Sequence, residues 1–501
     1  MLSDKGFKSC LTKKILEGVL QESKPFLSEV SPFIHYVDGV KKAHQRDAIT
    51  TSLNFFYALA LVKTHQQEKV LEAKALINKL CCFQIVDEGS VQGAYPLFLH
   101  QFPFSYSKSA NLDILLVQAL LLKHYEAIFK KEEKVALKKS IQNQLTYFNE
   151  LFKEERLDSL LVLKLYYCLS ILKGFFEPNL EDLFLEIEKK INDLELSLEL
   201  LEEEALGELL IFALIEEKNL EDHPLLFQKI YKKINALWDP NLLCFTGPAT
   251  RRSFQGNRGV ESLFSLVMSL LSEKENLRSE LLFPLAALLK AVALFPPAFK
   301  ALANFDRMKK INLNSHSWGS FSSLHLPEVA LSYQEFPEKQ RYKEKTFYPL
   351  KLDYIADNEN SLMGNLAIQS EFVLRELVVK DKTLTFQVLV DESIGDVDPH
   401  LPVFSLYFSK QKESSILISG ARATCFTLND DIILKSKTQL FKVCFHCKHE
   451  SNKFLGHVKL GNRKGQKEGE ELALREAHDW HLYLRSLGLK PGVEITVTIE
   501  L

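Results

Sequence analysis

A chain of 501 residues with 46% hydrophobic and 25% charged side chains has an ordinary globular composition and is long enough for about two to four cores. A net charge of -3 and an isoelectric point near 6.6 exclude a protein that holds nucleic acid through bulk positive charge. Apolar runs such as Ile114 to Leu122 fall short of the roughly 20 residues needed to span a bilayer.

The opening MLSDKGFKSCLTKKILEGVLQ reads as an amphipathic helix with Lys5, Lys8, Lys13 and Lys14. It has neither a continuous apolar core nor a small-residue cleavage site, so a cytoplasmic location is expected. Eight cysteines are too few for a disulfide scaffold, and a bridge between adjacent Cys81 and Cys82 would be strained. Reduced, buried thiols are therefore expected.

Apolar residues at helical spacing predict helices over 8–23, 46–64, 66–81, 111–130, 132–153, 158–174, 179–194, 196–218, 221–237, 259–272 and 279–296. Their short connections favour antiparallel hairpins. Asp158 is a natural N-cap. The acidic stretch from Glu177 to Asp222 reads as two amphipathic helices with carboxylates toward water, rather than as a docking surface for a basic partner.

Two irregular segments interrupt the helices: DEGSVQGAYPLFLHQFPFSYSKSA over 87–110 and WDPNLLCFTGPATRRSFQGNRG over 238–259. Long loops inside a helical body are uncommon unless functional or disordered, and this aromatic-rich composition is not that of disorder. Both are expected to be ordered and to line a cleft.

Near residue 310 the periodicity changes. EFVLRELVV, LTFQVLV, PVFSLYF, SSILISG, ATCFTL, DIILKS, QLFKVCFHC and VEITVTIEL alternate or are β-branched, with turn residues between them. Helices followed by strands predict two bodies, a helical domain over 1–310 and an antiparallel β-sandwich over 311–501. SHSWGSF, at the switch, places His316 and Trp318 where they either reach a groove or anchor one body on the other. GNRKGQKEGEE over 461–471 is a polar loop.

Cys444-Phe-His446-Cys447-Lys-His449 has half the spacing of a zinc site. Strand alternation would send Cys444 and His446 to one face and Cys447 and His449 to the other, so a plain strand is expected, with no metal and no cofactor. Phosphate-loop, Gly-x-Ser-x-Gly and His-Glu-x-x-His motifs are absent from the sequence.

The order of elements, about eleven helices and then a sandwich, resembles the polysaccharide lyases of the chondroitin, hyaluronate and heparinase-like kind. The resemblance implies an incomplete (α/α) toroid, a β-sandwich and a groove across the toroid loops. It implies cleavage of an acidic oligo- or polysaccharide by β-elimination, with chemistry from Asn, His, Tyr and Arg. Such a reaction needs donors on the uronate carboxylate, a base at the α proton and an acid at the leaving oxygen. The loop residues that match these types are His100 and Tyr106 as base and acid, Asn111 on the developing enolate, and Arg251 or Arg252 on the carboxylate. Gln255, Asn257, His316 and Trp318 are the accompanying substrate-binding candidates. The alternatives are a catalytically silent glycan-binding relative and a scaffold for a protein partner.

Overall fold

In a computed structural model of the chain, the described residues are 15–28, 30–36, 48–87, 89–176, 179–215, 220–234, 237–239, 242, 244–248, 262–271, 285–294, 310–315, 319–325, 329–335, 349–357, 362–370, 373–380, 382–389, 404–410, 413–447, 454–461, 479–486 and 493–501. The chain divides into two compact units. The first comprises 1–196, 204–232 and 261–302, and the second 197–203, 233–260 and 303–501. The described residues of the second irregular segment, 238–239, 242 and 244–248, thus belong with the strands that follow and not with the helices on either side.

The helices are α1 (15–23), α2 (Thr51–Lys63), α3 (Gln67–Cys81), α4 (Lys108–Tyr125), α5 (Lys131–Lys153), α6 (Ser159–Leu172), α7 (Asn179–Asp193), α8 (Glu203–Ala213), α9 (Leu225–Ile234), α10 (Leu263–Leu271) and α11 (Leu285–Ala291). They divide by composition. Helices α2, α4 and α6 are apolar on nearly every side and buried almost throughout, as a helix without a polar face must be. Helices α3, α5 and α7 bury one stripe each, for example Leu183, Ile187 and Ile191 in α7. Each buried helix packs on the amphipathic one that follows it. The buried helices also contact one another, α2 with α4 and α4 with α6, and α11 lies against α2. Ser107 and Asp158 cap α4 and α6, accepting from the Ala110 and Leu161 N–H groups at 3.3 and 2.9 Å.

Helix α8 departs from the amphipathic expectation for the acidic stretch. It is buried over Ala205–Gly207 and Leu209–Ala213, and a Cβ on Gly207 would sit 2.6 Å from the Phe264 nitrogen. Its Glu208 turns into the unit. There Lys164 of α6 donates to Asp113 of α4 at 3.0 Å, to Glu208 at 2.8 Å and to Ser109 at 2.9 Å. Lys290 of α11 closes the ring, 3.0 Å from both carboxylates. The Lys164 ammonium also lies 4.7 Å from the Phe212 ring centroid. Two cations and two anions, each held by several partners, satisfy the condition under which charges tolerate burial.

The strands are β1 (Trp238–Asp239), β2 (Cys244–Phe245), β3 (Lys310–Ser315), β4 (Gly319–His325), β5 (Val329–Glu335), β6 (Leu350–Asp357), β7 (Leu362–Ser370), β8 (Val373–Lys380), β9 (Thr383–Leu389), β10 (Phe404–Ser409), β11 (Ser415–Ile418), β12 (Cys425–Phe426), β13 (Ile432–Lys435), β14 (Leu440–Cys447), β15 (Phe454–Gly461), β16 (Asp479–Ser486) and β17 (Glu494–Glu500). They form a two-stranded ribbon, a nine-stranded sheet in the order β12-β15-β16-β10-β7-β6-β5-β4-β3 and a six-stranded sheet in the order β11-β13-β14-β17-β9-β8. Neighbours pair antiparallel, as in the β10–β16 and β9–β17 ladders. One core joins the two larger sheets: Leu352, Ile368, Leu406 and Leu484 from the first meet Phe386, Val443, Val497 and Ile499 from the second. Strands β3 to β7, β15 and β16 have no counterpart in the predicted set.

Strand β14 alternates as expected, burying Phe441, Val443 and Phe445 and leaving His446 exposed. The Cys444 thiol donates to the Asp431 carboxylate at 3.2 Å; burial and that neighbour push it up to about 11. His449 lies outside the described residues. Among the described residues no group of three His, Cys, Asp or Glu side chains is placed to hold a metal ion.

The β1–β2 ribbon is tied to β4 by His325, whose Nδ1 lies 3.3 Å from the Asp239 carboxylate and whose Nε2 meets Thr246 Oγ1 at 3.0 Å and Ser323 Oγ at 3.2 Å. All four residues are buried. His325→Leu is expected to lower stability by about 1–3 kcal/mol, since it strips a partner from several buried polar atoms at once. Urea denaturation of wild type and variant checks this; equal midpoints would leave the tie without energetic weight.

Candidate functional site

The segment between α3 and α4 is ordered by its own backbone and by a buried polar network. Ile85 exchanges hydrogen bonds with Gly93 and Ala94, Leu97 N–H donates to Ser105 at 2.6 Å, and Pro96 bridges to Tyr106. Thr51 N–H and Leu99 N–H fasten the segment to the start of α2 through Leu97 and Ile49 carbonyls. Beneath it, the fully buried Tyr95 hydroxyl meets Ser140 Oγ at 2.7 Å, and Gln118 donates to both hydroxyls. Gln84 donates to the Gly93 and Ser140 carbonyls at 2.9 Å each. Gly93 is required here: its φ of +89 suits glycine, and a Cβ would lie 2.1 Å from the Asn143 carbonyl oxygen. So complete an internal network rigidifies the loop that it supports.

The site residues expected from the sequence separate into two groups. His100 is exposed and stacks on Phe98 at 5.6 Å, and Tyr106 is 42% exposed. Both reach solvent from one loop. Asn111 instead lies inside α4 with no exposure. Its oxygen accepts from Tyr95 N–H at 2.7 Å, and its amide donates to the Tyr95 and Ser107 carbonyls at 3.0 and 2.9 Å. That side chain holds the loop to the helix. Arg251, Arg252, Gln255, Asn257, His316 and Trp318 lie outside the described residues.

Residues that sequence reasoning passed over stand beside Tyr106. Phe102 and Phe104 project from the loop tip, the latter 86% exposed. Arg156, just past α5, pairs with the exposed Glu154 carboxylate at 2.9 Å, and its charge also reaches Tyr147 and Tyr106. Lys108 reaches the Arg156 carbonyl at 2.6 Å, bringing a second cation. Tyr147 of α5 is buried, and its hydroxyl has no hydrogen-bond partner among the described residues. Burial, together with Tyr106, pushes that hydroxyl up to about 12, against the pull of Arg156. An orphaned buried hydroxyl is uncommon and asks for a cause.

A local device aims Arg156. Helix α5 ends in a Schellman motif, with Arg156 N–H donating to Leu151 at 2.9 Å and Glu155 N–H to Phe152 at 3.0 Å. The residue that turns left-handed there is Glu155, at φ +54, where glycine is usual. Glu155→Gly is expected to raise stability by about 1 kcal/mol; the exposed 3.4 Å contact to Lys190 that it forfeits is worth little. A thermal melt checks the direction: a lowered midpoint would mean that the glutamate side chain outweighs the backbone strain.

Exposed aromatic rings beside two cations suit a ligand that stacks and carries negative charge. The buried ring around Lys164 lacks this character, because its charges already satisfy one another. Among the described residues, no helix is long and apolar enough to cross a membrane. Comparison with known protein families and with curated proteins finds no match for the chain.

Proposed function

We propose that this chain is a carbohydrate-active protein resembling the polysaccharide lyases, and that the loop from Phe98 to Lys108, with Arg156, takes an acidic glycan. On this reading the first unit is an (α/α) toroid. Its support is the alternation of wholly buried and amphipathic helices and the return of α11 to α2. The second unit is a β-sandwich, supported by the single core that its two large antiparallel sheets share.

The observation that carries the reading is the rigidly mounted loop with Phe102, Phe104, Tyr106 and His100 exposed beside Lys108 and Arg156. Sugar rings stack on the aromatics, and the guanidinium offsets a uronate carboxylate, without which its α proton is too weakly acidic to remove. In eliminative cleavage His100 takes that proton and Tyr106 protonates the departing glycosidic oxygen. Incubation with a panel of uronic-acid glycans, followed by the absorbance of the unsaturated product, tests turnover. Silence across the panel sinks the lyase reading.

A second reading, glycan binding without turnover, draws on Asn111. Both of its amide hydrogens are engaged by carbonyls inside the fold, which leaves none for a developing enolate. Retention of uronate oligosaccharide with no product absorbance selects this reading. Failure to retain any acidic glycan leaves the loop as a surface for a protein partner.

A further inference from the structure

Strand β16 of the nine-stranded sheet sends Leu482 and Leu484 into the core, so His481, Tyr483 and Arg485 occupy the opposite face. Register sets His457 of β15 directly across from Tyr483, and Lys459 across from His481. Cys425 of β12 faces His457, and Tyr407 of β10 faces His481. The rings make a ladder: Tyr407 stacks on His481 at 4.5 Å, His481 meets Tyr483 at 5.0 Å, and His457 stacks on Tyr483 at 5.2 Å. Onto the same Tyr483 ring come the Lys459 ammonium at 4.8 Å and the Arg485 guanidinium at 5.3 Å. Three basic side chains therefore converge on one tyrosine.

Such a gathering needs an explanation. The ring face attracts each cation, but like charges at neighbouring positions of a sheet repel. Burial, and then Arg485 and Lys459, hold the His457 imidazole below its ordinary range. Among the described residues no carboxylate pairs with Lys459 or Arg485, and Arg485 Nε is shut from solvent without a hydrogen-bond partner. Asp479 shares this face diagonal to Lys459 across the β15–β16 ladder without pairing with it, and sits six positions from Arg485 along β16, roughly 20 Å. One anion placed between Lys459 and Arg485 would relieve their repulsion, give Arg485 an acceptor and accept a hydrogen bond from the His457 imidazole.

We propose that His457, Lys459 and Arg485, gathered on Tyr483, form an oxyanion site in the second unit that takes the carboxylate or sulfate groups of an acidic glycan. The glycan rests on the function proposed above; the oxyanion rests on charge complementarity alone. Lys459 is exposed while His457 and Arg485 are half-buried, so the anion seats from solvent against a prearranged floor. Ser405, which meets His481 Nε2 at 2.9 Å, fixes the ring beneath.

The test uses the full chain and the exposed Cys425 thiol, 3.6 Å from His457 Nδ1. Its alkylation by iodoacetamide is followed by peptide mass spectrometry, with exposed Cys82 as the internal control. Inorganic sulfate and an oligogalacturonate are each expected to slow Cys425 several-fold, the oligomer at lower concentration, and to leave Cys82 unchanged. Lys459→Gln with Arg485→Gln is expected to abolish protection by both probes, whereas Arg156→Ala leaves it intact. If sulfate protects and the oligogalacturonate does not, the acidic-glycan occupant is overturned and the oxyanion site stands. Absence of protection by either probe, or full protection in the double variant, overturns the site.

Discussion

Lys164→Met is expected to destabilise the first unit by about 3–5 kcal/mol, the range found when one member of a buried ion network is removed. The ammonium has no exposure and binds Asp113, Glu208 and Ser109 together, so its loss leaves one Lys290 charge against two carboxylates. The double variant Lys164→Met, Glu208→Met keeps the Asp113–Lys290 pair at 3.0 Å and restores the balance. It should therefore lose less than the sum of the two single variants. Urea denaturation of the four proteins measures this, and strict additivity would mean that the ring is not one electrostatic unit.

The ring also has a pH signature. Burial acts to raise the Glu208 carboxyl, but Lys164 and Lys290 outweigh it and hold it well below the usual range. Its stabilisation is complete above the ordinary carboxylate pKa and is lost as pH falls through the depressed folded value. For Lys164 and Lys290, burial is outweighed by Asp113 and Glu208, which raise both. Their stabilisation is complete below the ordinary lysine pKa and is lost as pH rises through the raised folded values. The contribution is thus flat between about pH 5 and 10 and falls away outside that window.

On the lyase reading proposed above, Tyr106→Phe is expected to lower turnover of a cleavable uronide by about 10²–10⁴-fold, the usual worth of a positioned general acid, and to leave substrate retention nearly unchanged. The ring stays to stack, and only the proton that goes to the leaving oxygen is removed. Arg156→Ala should act differently, weakening retention by about tenfold or more, the effect of one charge-assisted contact. The opposed pattern in kcat and KM separates a proton donor from a carboxylate anchor. If both variants weaken only binding, Tyr106 is a platform and the protein binds without cutting.

Much of this architecture was legible in the chain. Apolar spacing located α3, α5 and α7, Asp158 marked the start of α6, and alternation located β8 to β14 and β17, because these signals depend on residues a few positions apart. The loop bearing His100 and Tyr106 was also legible, since aromatics, glycine and proline without a period mark an ordered irregular segment. Local signals end there. Lys164 within an apolar helix is a visible anomaly, but its partners come from α4 and α8, and only packing shows that Glu208 turns inward to meet it. Asn111 looked like a reactive amide until the fold supplied the Tyr95 and Ser107 carbonyls that occupy it. Arg156, remote from the loop in sequence, joins it through the left-handed turn after α5. Sequence by itself determined the periodic helices and the alternating strands named above, with the faces they bury, because periodicity is written residue by residue. Which charges meet, and which polar groups remain for a ligand, was decided only by tertiary structure, because electrostatic and hydrogen-bond partners are set by distance in space.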